Sequence, residues 1–243
     1  MLMHINRKLD FIKSFNLDAV LVIPFNKDFS KVTAYDFLND IILKHLNAKK
    51  IIVGYDHHFG HNREGSPEYL KKLSKDKDYD LEIVEPIKDR EMIISSTHIR
   101  ESIKKGFVRR ASFELGWVFG FEAKVVPGSG RGKGLGFPTA NFIPIEKNQL
   151  IPANGVYFIR GRINSINLYG MCNLGTRPTF DEIDFVMEVH FFKSRVNDIY
   201  GKTITVEFLE RVRDEKKFSS PKELIKQLEK DKEICMRLIQ KYN

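Results

Sequence analysis

Cysteine is scarce in this chain: Cys172 and Cys235 are the only two among 243 residues. They lie far apart and outside any metal-ligand spacing. That excludes a disulfide framework and a cysteine-rich zinc site, and it fits a reducing cytoplasm. No run of about 18 apolar residues occurs, so no membrane-spanning helix is expected. The opening MLMHINRKLDFIKSF has neither a long apolar core nor a small-residue cleavage site, so it does not read as a secretory signal. Internal repeats and low-complexity segments are also lacking. Two glycine signatures are missing as well. Gly132-Lys133 is followed by Gly134, not by the Ser or Thr that a Walker A loop needs for magnesium. No frame supplies a G-x-G-x-x-G opening a helix, and Pro138 stands where that helix would run.

Hydrophobic residues make up 42% of the chain, an ordinary globular fraction that argues against disorder. The formal net charge is +8. A basic surface can serve nucleic acid, membrane or small anionic substrates. The lysines are dispersed, so a solvated surface explains the charge equally well.

The first hundred residues alternate helix and strand signals. Leu9, Ile12 and Phe15 form a helical stripe. AVLVIPF (19–25) and KIIVG (50–54) read as buried parallel strands, with an amphipathic helix over TAYDFLNDIILKHL (33–46) between them. In SPEYLKKLSK, Ser66 is the expected N-cap and Pro67 the first helical residue. YDLEIVEPI reads as a strand, and SSTHIRESIKK as a short helix ending at Gly106. This alternation predicts a layered α/β unit with a parallel sheet. From Val118 the pattern changes. GVYFIRGRI (155–163), LYGMCNLG (168–175), FVMEVHFF (185–192) and TITVEFLERV (203–212) are rich in β-branched and aromatic residues. Turns are expected at Asn154-Gly155, Asn164-Ser165 and Tyr200-Gly201. Short strands joined by turns predict an antiparallel barrel or sandwich. A last helix is expected with Ser220 as N-cap, Pro221 first and Glu223 as capping-box partner. The boundary falls near residues 105–117, giving domains 1–110 and 111–243.

The stretch GSGRGKGLGFPTANF (128–142) holds five glycines in nine positions and then stiffens at once. Bare backbone permits close approach to phosphate. Thr139 and Asn141 point the same way in an extended segment and bring a hydroxyl and an amide oxygen to one spot. Neutral oxygens of this kind suit magnesium. A plain turn is the ordinary alternative, and the glycine cluster weighs against it. Glu188 lies in the otherwise apolar FVMEVHFF beside His190. A carboxylate there either faces water outside the barrel or is held for a task, such as accepting a substrate proton. His190 reads as a core or supporting histidine.

In order, GRGKGLGFPTANF, GVYFIRG, CNLGTRPTF, MEVHFF and FLERVRDEKKFSSPKELIKQLEKD resemble the riboflavin kinase module, over roughly residues 115 to 240. The resemblance implies a small Greek-key β-barrel with a C-terminal helix. The implied reaction moves the γ-phosphoryl of ATP to the ribityl 5′-hydroxyl of riboflavin and yields FMN, with Mg²⁺. It implies ATP contacts at Gly130, Gly132, Lys133, Gly134, Thr139 and Asn141, with Thr139 and Asn141 also placing the metal. It implies Glu188 as catalytic base and Arg213 and Phe218 on the flavin side. VGYDHHFGHNREG (53–65) and ISSTHIR (94–100) resemble the nucleotidyltransferase module preceding this kinase in bacterial bifunctional riboflavin kinase/FAD synthetases. That implies a Rossmann-like first domain, with Ser96, Thr97 and Arg100 at ATP phosphates and Asp56 flavin-side. The family's opening loop, G-x-F-D-G-x-H-x-G-H after a first strand, is not found; His58-Phe59-Gly60-His61 echoes its end but sits in the other motif. Against the family pattern the opening strand, loop and helix are expected to be lacking, the site at those four residues to be vestigial, and FAD synthesis to be doubtful. Riboflavin, ATP and FMN are the expected partners, in the cytoplasm, without nucleic acid or membrane. A basic nucleic-acid-binding barrel is the contrasting reading, and it would leave the Gly-Pro-Thr-Asn constellation unexplained.

Overall fold

The computed structural model describes residues 1–128, 130–163, 166–178, 183–192 and 199–242. The turn expected at Asn164-Ser165 lies outside them. The chain packs as two compact units: Leu17–Ile94, and Met1–Asn16 together with Ser95–Asn243. Helix α1 (Ile5–Lys13) belongs to the larger unit.

In the smaller unit α2 (Ala34–Asp36) continues into a wider helical stretch, Phe37–His45. Thr33 caps it by accepting from the Asp36 amide at 3.0 Å. β1 (Lys50–Gly54) is followed by α3 (Pro67–Leu73) and β2 (Asp80–Val84). Ser66 caps α3 as expected, accepting from the Tyr69 amide at 3.2 Å, and Pro67 opens it. β1 and β2 pair in parallel from Lys50↔Asp80 to Gly54↔Val84. Leu38, Leu70 and Tyr79 form the core, with Ile51, Val53 and Leu81 packed on it. Two short strands, β3 (Lys88–Asp89) and β4 (Met92–Ile93), close the unit as a hairpin.

The strand expected over residues 19–25 is not formed. Leu21, Val22 and Phe25 are 59%, 53% and 80% exposed. A strand exists only as half of a ladder, and among the described residues β1 pairs with β2 alone. β1 is also covered on one face only, which leaves Ile52 exposed.

In the larger unit α4 (Ser96–Lys104) and α5 (Val108–Leu115) flank a turn at Gly106, where φ is +84°. Sequence patterning gave no sign of α5. A closed antiparallel barrel follows: β5 (Gly120–Pro127), one helical turn α6 (Arg131–Gly134), β6 (Ala140–Pro144), β7 (Gly155–Ile163), β8 (Ile166–Pro178), β9 (Ile183–Phe191) and β10 (Thr203–Arg213). Its strand order is β10-β5-β6-β9-β8-β7. Ala123, Val125, Phe142, Tyr157, Cys172, Val189, Phe191 and Phe208 are fully or almost fully buried and alternate with residues of the other face. α7 (Pro221–Tyr242) lies on the outside. There Phe137, Val156, Phe158, Met171, Leu209 and Cys235 make a second core, sealed by Leu228, Leu238 and Ile239. Strand β7 is therefore buried on both faces, which is why GVYFIRGRI lacks clean polar alternation. Ser220 Oγ accepts from the Glu223 amide at 3.3 Å. The Glu223 carboxylate accepts from Ser219 N and Oγ at 3.2 and 2.9 Å, so the reciprocal capping bond falls one residue earlier than expected.

Helix α1 is tied to the barrel through Arg7. Its guanidinium donates to the Gly120 carbonyl at 3.0 Å, lies 4.8 Å from the Trp117 ring centre and 3.9 Å from Glu207. Glu207 is itself buried between Arg160 and Arg162, at 2.7 and 3.1 Å.

Candidate active site

A cavity of about 350 Å³ opens on the outer wall of the barrel, under α7 and the segment that follows β10. Gly132, Thr139, Glu188, Arg213 and Phe218, all singled out in the sequence, line it together. Asn173, His190, Glu215, Leu224 and Leu228 line it too and were not assigned to the site from sequence.

One end is the glycine loop. Gly130 has φ +74°, open to glycine at no steric cost. At Gly132 the constraint is contact: a Cβ would stand 2.3 Å from the Phe137 carbonyl oxygen and 3.0 Å from Thr139 Oγ1. The Phe137 amide donates back to the Gly132 carbonyl at 2.9 Å and closes the loop. Lys133 and Gly134 are exposed on its rim. After Pro138 the chain becomes β6. Ala140 and Phe142 enter the barrel, while Thr139 and Asn141 keep to the outer face, half-buried. The alternation read from sequence is thus realised. Asn141 Oδ1 is buried and has no hydrogen-bond partner among the described residues. A buried acceptor left so is costly unless something occupies it.

The other wall is β9. Glu188 is opposite Asn141 on one side and opposite Asn173 on the other. Directly opposed residues share a face of the sheet, with Cβ atoms about 4.5–5.5 Å apart. So one carboxylate and two carboxamides form a row across β6, β9 and β8. Glu188 does lie on the outside of the barrel, but this stretch of the outside is roofed and faces the cavity. Behind it, burial pushes the Cys172 thiol well up, and the Glu188 charge pushes the same way. His190 Nδ1 donates to the Pro138 carbonyl at 2.9 Å. Its ring meets Phe137 and Phe192 edge-on. Burial draws the imidazole below its ordinary value, against the opposing pull of that hydrogen bond.

At the roof, Arg213 Nε donates to both carboxylate oxygens of Asp231, at 3.0 and 2.9 Å, and Nη2 stands 2.8 Å from one of them. Asp231 is fully buried on α7 and also accepts from Gln227 at 2.8 Å. Nη1 donates to the Asp214 carbonyl at 2.9 Å, and the guanidinium lies 5.7 Å from the Phe218 ring centre. Arg213 therefore fastens the roof to the helix. Asp231 was missed because a single acid inside an amphipathic helix carries no signal of burial.

Asp56 is exposed in the smaller unit. Ser96, Thr97 and Arg100 are exposed on α4 of the larger unit. The cap of α4 is Ser95, whose Oγ accepts from the His98 amide at 3.2 Å. His98 reaches Glu114 of α5 at 3.2 Å, a tie that the motif did not suggest.

Two family descriptions match the chain, "Riboflavin kinase" over residues 115–239 and "FAD synthetase" over residues 1–98. A Buchnera aphidicola protein named bifunctional riboflavin kinase/FMN adenylyltransferase is 34% identical over 239 residues, covering 97% of this chain and 74% of that protein. Its namesake in Escherichia coli K12 is 33% identical, over 95% of this chain and 73% of that one. The Bacillus subtilis namesake is 31% identical, over 95% and 72%. A crystal structure described as a macrolide-efflux protein from Streptococcus pneumoniae matches with TM-score 0.87 and 33% identity, covering 97% of this chain and 75% of that one. Among the described residues of this chain, no helix is long and apolar enough to cross a membrane.

Proposed function

The chain belongs to the bacterial bifunctional riboflavin kinase/FMN adenylyltransferase family, and we propose that the cavity on its barrel is where riboflavin is phosphorylated by ATP to FMN. Residues 111–243 are the proposed kinase domain and 1–110 the proposed adenylyltransferase-related one. Packing cuts elsewhere, since α1 and α4 associate with the barrel. Glu188 is assigned as general base, accepting the proton of the ribityl 5′-hydroxyl as its oxygen attacks the γ-phosphorus of ATP and ADP leaves. The loop from Gly130 to Gly134, with Lys133, lies against the nucleotide phosphates. Thr139 and Asn141 fit a magnesium ion: one supplies a hydroxyl, the other a buried amide oxygen with no partner among the described residues. The ion would neutralise charge on the phosphates. Phe218 and the apolar side chains of the cavity take the flavin, with Arg213 holding that segment in place. Asp56, Ser96, Thr97 and Arg100 are assigned to the adenylyltransferase-related module.

The observation that carries this reading is the cavity shared by the glycine loop, Thr139 and Glu188, with the orphaned Asn141 amide oxygen on the residue paired directly opposite Glu188. The aromatics of the barrel weigh against a nucleic-acid platform, since Phe119, Phe121, Phe142 and Phe208 are buried. Two buried free thiols favour the cytoplasm. The test is direct. The purified chain is incubated with riboflavin and MgATP, and flavins are separated by chromatography. FMN with one ADP per FMN is expected, and absence of FMN would overturn the assignment.

A further inference from the structure

Strands β6 and β9 make the shortest seam of the barrel, pairing over Ala140↔Val189 and Asn141↔Glu188 among the described residues. The next pair would be Thr139 with His190, and the one after would involve Pro138. Proline has no amide hydrogen to donate, so the ladder cannot continue. This seam nonetheless separates the two halves of the site. Thr139 and the glycine loop lie on one side, Glu188 on the other.

His190 ties the two strands here by a different bond, from its side chain to the proline's carbonyl. Nδ1 donates to the Pro138 carbonyl at 2.9 Å. A carbonyl can only accept, so the proton resides on Nδ1. The imidazole is 7% exposed and wedged between Phe137 and Phe192. Pro138 is thus fixed from two directions: its neighbour Phe137 by the hydrogen bond from its amide to the Gly132 carbonyl, and its own carbonyl by His190 of β9.

We propose that His190 is a positioning residue for phosphoryl transfer: holding the Pro138 carbonyl, it sets Thr139 and the nucleotide side of the cavity at a fixed distance from Glu188. This rests on the kinase reading above. The competing role is packing alone, which an aromatic ring would fulfil.

Three variants of the full chain separate the two roles. In His190→Asn the amide nitrogen takes the place of Nδ1. In His190→Gln it takes the place of Nε2. In His190→Phe the ring stays and the donor goes. Steady-state kinetics and calorimetric binding of a non-hydrolysable ATP analogue with magnesium are measured for each. His190→Phe and His190→Gln are expected to raise both the KM for MgATP and the analogue Kd about tenfold, the worth of one buried hydrogen bond. His190→Asn should stay within about threefold of the parent, and the KM for riboflavin within about twofold throughout. Asn performing no better than Gln, or the riboflavin and ATP constants rising together, overturns the proposal. If the Phe variant fails to fold, the Asn and Gln pair decides alone. A parent chain that forms no FMN sinks the kinase reading instead, and the analogue Kd still reads the Asn–Gln contrast.

Discussion

Asn141 on β6 stands directly opposite Glu188 on β9, at one of the two residue pairs by which those strands meet. An amide oxygen suited to a cation and a carboxylate suited to a proton are thereby held side by side by main-chain pairing. Their separation is set by the barrel and not by a mobile loop.

Glu188→Gln keeps size and shape and removes the proposed base. Turnover is expected to fall by roughly 10²-fold or more, with riboflavin binding and the thermal melt unchanged. Stopped-flow or chromatographic rates check this, and turnover within a few-fold of the parent removes Glu188 from the role.

Asn141→Ala removes the oxygen that has no partner among the described residues. The KM for MgATP should rise by about tenfold while the riboflavin KM moves little. A magnesium titration at fixed ATP should shift to higher concentration. An unchanged magnesium dependence would leave Thr139 and Asn141 as a turn.

Asp231→Ala strips the acid that holds Arg213 and leaves a guanidinium without its buried partner. Breaking such a pair typically costs about 3–5 kcal/mol. The barrel should melt several degrees lower in calorimetry. Because α7 carries Leu224 and Leu228 into the cavity, riboflavin affinity should fall with it. Equal melting temperatures would mean that the roof is held by apolar contacts alone.

His190 gives a pH signature. Burial lowers its folded pKa below the unfolded value of about 6.5, so the unfolded chain takes up its proton first as pH falls. Its contribution to stability is fully present above the unfolded pKa and is lost as pH falls through the folded one. Relative to the parent, His190→Asn should therefore lose less stability on acidification below neutrality. Parallel stability curves for the two proteins would contradict this.

Both thiols should be silent in the native protein. Burial, aided by the charge of Asp231, pushes Cys235 up to about 12, and Cys172 is raised well above its ordinary value. A disulfide-exchange dye at mild alkaline pH should count none before denaturant and two after it, matching the two cysteines in the sequence.

Much of the barrel was legible because its strands end at turn residues and carry β-branched runs. GVYFIRGRI coincides with β7 residue for residue. Thr139 and Asn141 were legible because a period of two survives in β6. The helix α5 was not, since VRRASFEL has no periodic stretch long enough to stand out from a linker. AVLVIPF failed for a different reason: apolar composition signals a strand, but pairing requires a neighbour, and composition does not name one. His190 was legible only as a core or supporting histidine, and Asn173 and Asp231 not at all, because their meaning comes from what faces them across the sheet or from the helix.

Strand β9 carries two demands on alternate residues. Met187, Val189 and Phe191 fill the barrel, while Glu188 and His190 face the cavity under α7. Tolerance to substitution should therefore oscillate along this strand with a period of two, and in kind as well as degree. Odd positions should accept other apolar side chains of similar volume and fail by unfolding. Even positions should fail chiefly by impaired turnover or substrate binding. Evolution can thus retune the chemistry of this wall without reopening the core that holds it upright.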